Sequence, residues 1–223
     1  MKLYHYSKID NWDEIKEGSW VSEDRPGLGA NLRMGFEDEG AKETLGLWAF
    51  LSPVPEEWKT NEKFPNVWDN LKANMGKMLL EIDIDENDKT AFVADWAHME
   101  GYVRPVKENE EPLNQYAHKT RLDAEGAYYK TKISLKDFLD NQDNLHYTLP
   151  EVILTDHIPL EKIKIAEAQP LLQEYMDVRP LSMLKEWKSG MARRIYEIPE
   201  LKKWWEEYLA QREYRERGGE IRK

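Results

Sequence analysis

The sequence KLYHYS at residues 2–7 opens the chain, and the sequence PEVIL at residues 150–154 lies far downstream. The first stretch predicts a short aromatic strand whose side chains alternate between two faces, so that His5 shares its face with a leucine and a serine. The second predicts a strand in which Glu151 precedes an apolar run. Taken singly, these two residues are expected to be a structural histidine and a strand-end charge. Together, an orienting histidine and a polarising carboxylate suit chemistry at a sugar carbon.

The remaining elements place these two stretches in an α+β fold. Apolar runs predict strands at residues 45–51, 77–84 and 90–94 and within 158–165. Helical spacing predicts a short helix that ends at Gly18 and longer helices over residues 167–188 and 199–217. The predicted order is one helix after the first strand, then mostly strands, then helices. This order is typical of an α+β fold and differs from the regular alternation of βαβ units.

Three other segments carry local signals. Ser134, with Asp137 three residues later, predicts a capped helix that begins there. Residues 22–44 are charged and glycine-rich with little periodicity, which predicts a long loop, and such loops in compact domains are often functional. Residues 104–114 are predicted as loop, whereas residues 115–130 leave loop and helix both open.

Composition excludes several classes of site. The 223 residues include no cysteine, so disulfides, zinc–thiolate sites and thiol nucleophiles are excluded. The net charge of −11 argues against a broad phosphate-binding surface. No run approaches the length of a membrane span, and the first residues are too polar for a signal peptide, so a cytoplasmic protein without membrane contact is expected.

Familiar catalytic and metal motifs are missing. The chain has no phosphate-binding GxxxxGK[ST] loop, no GxGxxG, no HExxH and no GxSxG. The five histidines are scattered, and no two of them have metal-ligand spacing on one element. No metal is therefore expected.

Three short motifs, taken in order, resemble the ADP-ribosyltransferase superfamily of the diphtheria-toxin-like, His-Tyr-Glu type. LYHYS at residues 3–7, followed by a short helix ending in glycine, is similar to the first strand and helix of that family. GLWAFLS at residues 46–52 is similar to its second motif, and EVILTDHIPLEKI at residues 151–163 is similar to its late strand. The layout looks nearest to small bacterial and phage proteins of the DNA-targeting toxin kind.

The resemblance implies a catalytic pair on a split mixed or antiparallel sheet. NAD is the expected substrate and cofactor, and ADP-ribose passes to a macromolecular acceptor, nucleic acid or protein. His5 is expected to orient the nicotinamide-side ribose, and Glu151 to stabilise the oxocarbenium-like ribose in the transition state. Ser7 is expected to support the nicotinamide amide.

The same resemblance implies further NAD contacts. Either Trp48 or Phe50 is expected to stack on the nicotinamide ring, and Arg25 and Arg33 to reach the pyrophosphate, although surface charge is the simpler interpretation of each arginine. Tyr6 and Ser52 complete the expected NAD-binding set. The family generally has tyrosine at the central motif, and here Trp48 and Phe50 offer no phenol.

Tyr128 and Tyr129 are the candidates to supply the phenol that the central motif lacks. Neither can be placed from the sequence, so the choice between them stays open. A missing central tyrosine is also compatible with a degenerate site.

The predicted boundaries are an ADP-ribosyltransferase-like domain over residues 1–166 and a C-terminal helical extension over residues 167–223, packed on that domain. The extension is rich in aromatic residues. From Lys185 onward it carries 11 basic and 8 acidic residues, whereas the rest of the chain has a net negative charge. It is therefore a candidate surface for a protein partner. The alternatives are a non-catalytic interaction protein on the same scaffold and an RNA 2′-phosphotransferase, for which the chain offers too few basic residues.

Overall fold

The computed structural model describes residues 1–9, 11–18, 25–29, 32–33, 45–106, 110–186 and 191–218. Its strands, in chain order, are β1 Lys2–Ser7, β2 Gly27–Leu28, β3 Leu32–Arg33, β4 Leu45–Ala49, β5 Met78–Asp83, β6 Ala91–Asp95, β7 Ile133–Ser134, β8 Pro150–Leu154, β9 Ile158–Pro159 and β10 Ile163–Ile165.

Helices occupy most of the remaining described chain. They are α1 Asn11–Glu17, α2 Glu56–Lys59, α3 Val67–Asn74, α4 Ala97–Val103, α5 Arg121–Lys130, α6 Leu135–Asp140, α7 Pro170–Asp177, α8 Leu181–Glu186, α9 Met191–Glu197 and α10 Pro199–Glu216. Two short 3₁₀ helices cover Glu111–Tyr116 and Leu160–Lys162. Among the described residues, no helix has the length and apolar character needed to cross a membrane.

The described strands pair in the antiparallel sense throughout. One sheet has the order β1-β5-β10, a second has β3-β4-β8-β6-β7, and β2 pairs with β9 alone. A single bridge between Tyr4 and Phe50 links β1 to the end of β4. The chain is therefore a mixture of helices and antiparallel sheets, as the α+β prediction requires.

Local signals account for several of these boundaries. The Ser134 side chain accepts a hydrogen bond from the backbone N–H of Asp137 at 3.0 Å, which confirms the predicted cap of α6. Thr120 caps α5 in the same way, through the N–H of Asp123 at 3.1 Å. The open segment 115–130 thus becomes a helix in its second half, where this cap starts the first turn.

Two predictions for connecting segments need correction. Residues 104–114 were predicted as loop, but a 3₁₀ helix begins at Glu111. Most of the predicted 22–44 loop lies outside the described residues, yet β2 and β3 fall within it. Gly27 explains the first of these strands, because a Cβ at this position would lie 2.0 Å from the carbonyl oxygen of Ile158. Glycine, with φ of +132°, allows β2 to approach β9.

The C-terminal helices share their apolar core with the sheets. One cluster of buried side chains runs from the strands into α7–α10, and its members include Leu3, Ile82, Val152, Leu172, Leu201 and Trp205. Gln169 fixes the start of this region, since its buried amide bonds both backbone groups of Leu79 and the carbonyl of Ala166. Of the aromatic residues in α9 and α10, Trp205 and Tyr208 are buried, whereas Tyr196 and Tyr214 are about half exposed.

Candidate functional site

His5 lies where β1 and β4 separate. Tyr4 and Phe50 exchange both backbone hydrogen bonds, at 2.9 and 2.8 Å. A continued ladder would next set Tyr6 opposite Trp48. The ladder stops there, and the His5 imidazole meets the Trp48 carbonyl instead, with Nδ1 2.9 Å from its oxygen. The side chain of His5 therefore takes the place of a backbone group at the fork between the two strands.

The same contact determines the protonation of His5. Its side chain is 9% exposed, and burial lowers its pKa to about 4, even though the hydrogen bond to Trp48 acts in the opposite direction. The imidazole is therefore neutral at pH 7. Because a carbonyl oxygen can only accept, Nδ1 must carry the proton and Nε2 is left as an acceptor.

A small cavity, which we call the fork cavity, lies beside His5 and has a volume of about 100 Å³. Its described walls are His5 and Ser7 from β1, Asn11 and Glu14 from α1, Trp48 from β4, and the segment 27–29. Typical ligand pockets are several times larger, roughly 300–1,000 Å³, so the described part suits a portion of a larger ligand. The cavity brings together three of the predicted residues, His5, Ser7 and Trp48.

Tyr6 and Phe50 lie elsewhere. Both are almost fully buried in an aromatic cluster, in which their ring centroids are 6.4 Å apart and Phe50 lies 5.3 Å from Trp58. The Tyr6 hydroxyl donates to the carbonyl of Pro53. These contacts give both rings a packing role, which leaves Trp48 as the aromatic residue at the cavity.

The other predicted NAD contacts are less defined. Arg25 is exposed and lies two residues before the Gly27 wall of the fork cavity. Arg33 belongs to β3, where its backbone pairs with Leu45, but its side chain lies outside the described residues. Ser52 follows the end of β4 and is partly buried.

Glu151 lies on β8 and is 6% exposed. The Tyr128 hydroxyl of α5 donates to its Oε1 atom. Burial, followed by the nearby charge of Asp95, raises the pKa of Glu151 to about 7, and the Tyr128 hydrogen bond partly opposes that rise. Burial and the carboxylate also raise the pKa of Tyr128 well above its usual range. Of the two tyrosines that the sequence left open, Tyr128 is thus the one that bonds Glu151.

The structure does not bring Glu151 to the fork cavity. Trp48 pairs with Ile153 across β4 and β8. Glu151 lies two residues before Ile153 on β8, so its backbone is roughly 7 Å along the strand from the position opposite Trp48. Ile153, which shares its face, packs with Tyr128 and Ala124 of α5. Among the described residues that line the fork cavity, Glu14 is the carboxylate.

Asp95, which the sequence motifs do not single out, is a buried carboxylate that holds the entry to β8. It accepts hydrogen bonds from the backbone N–H groups of Thr148 at 3.0 Å and Leu149 at 2.8 Å. The indole of Trp58 adds a third anchor by donating to the carbonyl of Pro150 at 2.8 Å. The available signal was an aspartate that closes an apolar strand, AFVAD, at residues 91–95.

Comparisons with protein-family models, with curated proteins and with solved structures each find no match. The resemblance to ADP-ribosyltransferases therefore stays a prediction that rests on the three short motifs. In the part of the chain that the structure describes, no group of three or more histidine, aspartate or glutamate side chains could hold a metal ion.

Proposed function

We propose that this protein binds NAD at the fork cavity and transfers its ADP-ribose unit to a macromolecular acceptor, on a core of ADP-ribosyltransferase type. The observation that carries the proposal is the neutral His5 at the cavity wall, whose Nδ1 is taken by the Trp48 carbonyl. The polar atom left for a ligand is Nε2, an acceptor suited to a ribose hydroxyl.

Strand order gives further support. The three motifs that resemble the family lie on β1, β4 and β8, and these strands are neighbours through the Tyr4–Phe50 bridge and the β4–β8 ladder. Motifs that lie far apart in the sequence therefore converge on one region of the fold.

The chemistry follows from the lining of the cavity. The bond between ribose C1′ and the nicotinamide nitrogen breaks with its electron pair going to nicotinamide, and an oxocarbenium-like ribose develops. In this proposal His5 holds the ribose, the Ser7 hydroxyl bonds the carboxamide, and the Trp48 ring stacks on the nicotinamide, which contributes about 0.5–1.5 kcal/mol beyond burial. The acceptor then forms the new bond at C1′ and loses a proton.

Glu151 is the carboxylate that the family resemblance implies. In this protein it accepts the hydroxyl of Tyr128 on α5, and the cavity lining does not include it. The proposal therefore rests on His5.

The decisive experiment measures NAD binding by calorimetry and nicotinamide release by chromatography. His5→Asn is the informative variant, because an Asn amide can still donate to the Trp48 carbonyl but has nothing in the place of Nε2. We expect a folded protein that releases nicotinamide ~100-fold more slowly, since mispositioning a substrate by about 1 Å has effects of this size. Exposed His146→Asn is the matched control and should behave as the wild type. A wild-type protein that neither binds NAD nor releases nicotinamide would refute the proposal.

A further inference from the structure

We infer that Glu14, and not Glu151, is the carboxylate that stabilises positive charge on the ribose; this inference rests on the proposed function. Charge develops at the sugar carbon, so the stabilising group must border the space that holds the sugar. Of the two carboxylates, Glu14 borders the fork cavity and Glu151 does not.

Helix α1 holds Glu14 at this position. Asn11, Glu14 and Ile15 all line the cavity, and their i, i+3 and i+4 spacing places them on one face of the helix. Ile15 is 3% exposed and fixes this face against the core. The helix ends with the Gly18 N–H donating to the Glu14 carbonyl at 2.9 Å, one residue after the last turn. The Glu14 carboxylate is thus held on an anchored helix beside His5 and Ser7.

The neighbouring Asp13 differs from Glu14 in having cationic partners. Asp13 forms ion pairs with Lys16 and with Arg194 of α9, each at 3.0 Å. Within the described residues, the Glu14 carboxylate has no such cation and no side-chain hydrogen bond. Asp13 thus links α1 to the C-terminal helices, whereas Glu14 is left to contact a ligand.

Glu151 is poorly suited to the same task. Its carboxylate already accepts the Tyr128 hydroxyl in a buried setting. If Glu151 moved out of this contact to reach the ribose, the buried Tyr128 hydroxyl would lose its acceptor. That loss is unfavourable by about 1–3 kcal/mol. Glu14 needs no such rearrangement, because its side chain is exposed at the cavity.

The step balances with Glu14 in place. As the C1′–nitrogen bond breaks, the Glu14 carboxylate faces the growing positive charge and stabilises it. A hydroxyl or amine of the acceptor then bonds to C1′, and its proton passes to Glu14. When water is the acceptor, the products are nicotinamide and free ADP-ribose.

The test compares Glu14→Gln, Glu151→Gln and Glu17→Gln in the full-length protein, with the NAD dissociation constant and the rate of nicotinamide release measured for each. Glu17 lies in the same helix, is exposed and is absent from the cavity lining, so its variant is the matched control. We expect Glu14→Gln to keep NAD affinity within ~3-fold and to slow turnover ~100-fold, as for the loss of one transition-state contact. Glu14→Asp should recover part of the rate.

Normal turnover in Glu14→Gln would overturn this inference and leave the proposed function standing. Loss of turnover in a folded Glu151→Gln, with Glu14→Gln active, would return the role to Glu151. A wild-type protein without NAD binding or nicotinamide release would overturn the proposed function and this inference together.

Discussion

Replacing Glu151 with glutamine tests the electrostatics of the buried pair directly. Glu151 is 6% exposed, and burial raises its pKa from 4.5 to about 7. Glutamine has nearly the same shape, keeps an oxygen for the Tyr128 hydroxyl and has no charge at any pH. The variant therefore removes the ionisation of Glu151 and little else.

The sign and size of the effect follow from linkage. Between pH 4.5 and 7 the native protein holds a proton that the unfolded chain has released, so the contribution of Glu151 to stability is complete below pH 4.5 and is lost as pH rises to 7. Each pKa unit corresponds to about 1.4 kcal/mol, so the loss is about 3 kcal/mol. The free energy of unfolding of Glu151→Gln, relative to wild type, should increase by this amount between pH 4.5 and 8.

Urea unfolding followed by tryptophan fluorescence, at half-unit steps of pH, measures this difference. Taking the difference between variant and wild type cancels the titration of the histidines. Exposed Glu161→Gln is the control and should change stability by less than ~0.5 kcal/mol at every pH. Tyr128→Phe removes the hydroxyl that lowers the pKa of Glu151, so the loss of stability should extend to higher pH. If the difference in free energy of unfolding between Glu151→Gln and the wild type is the same at every pH from 4.5 to 8, the reasoning is refuted.

Three further predictions concern stability and use the same unfolding assay. Gly101→Ala places a Cβ 2.3 Å from the backbone oxygen of Tyr116, so we expect a loss of about 1–3 kcal/mol, and an unchanged midpoint would contradict this packing. Gly126→Ala meets nothing within 4 Å inside α5 and should gain about 0.5–1 kcal/mol; a loss would show that the helix is not packed as described. Asp95→Ala leaves the buried N–H of Thr148 without its acceptor and removes two further backbone contacts, so a loss of about 3 kcal/mol is expected, and a loss under ~1 kcal/mol would count against the anchoring role.

Elements with strong local signals were predictable from sequence. The run KMLLEIDI predicts a strand at residues 77–84, and β5 occupies Met78–Asp83 at the centre of its sheet, where the apolar residues of the run are buried. Ser134 predicted the start of α6 because a side-chain cap needs only neighbours three residues away. In both cases the information lies within a few residues, so no knowledge of the tertiary fold is needed.

The candidate site was only partly predictable, because alternation along a strand gives two faces but not what covers each one. The sequence shows that Glu151 shares a face with Ile153. Trp48, which pairs with Ile153, shares this face and reaches the cavity, so only the position of α5 determines that Glu151 meets Tyr128 and is absent from the cavity lining. Phe50 illustrates the same limit: it belongs to the predicted motif, yet contacts with Trp58 and Tyr6 make it part of the core.

His5 combines a structural and a proposed ligand-binding role, and the two roles use different atoms of one ring. Where β1 leaves β4, the carbonyl of Trp48 has lost the partner that a continued ladder would provide, and a buried carbonyl needs one. Nδ1 meets that need at 2.9 Å and fixes the tautomer. The strand separation that opens the cavity is therefore also what forces Nε2 to be an unprotonated acceptor at its wall. A phenylalanine here would remove both functions, whereas asparagine separates them, so only the second substitution distinguishes a histidine that completes the fork from one that also holds a sugar.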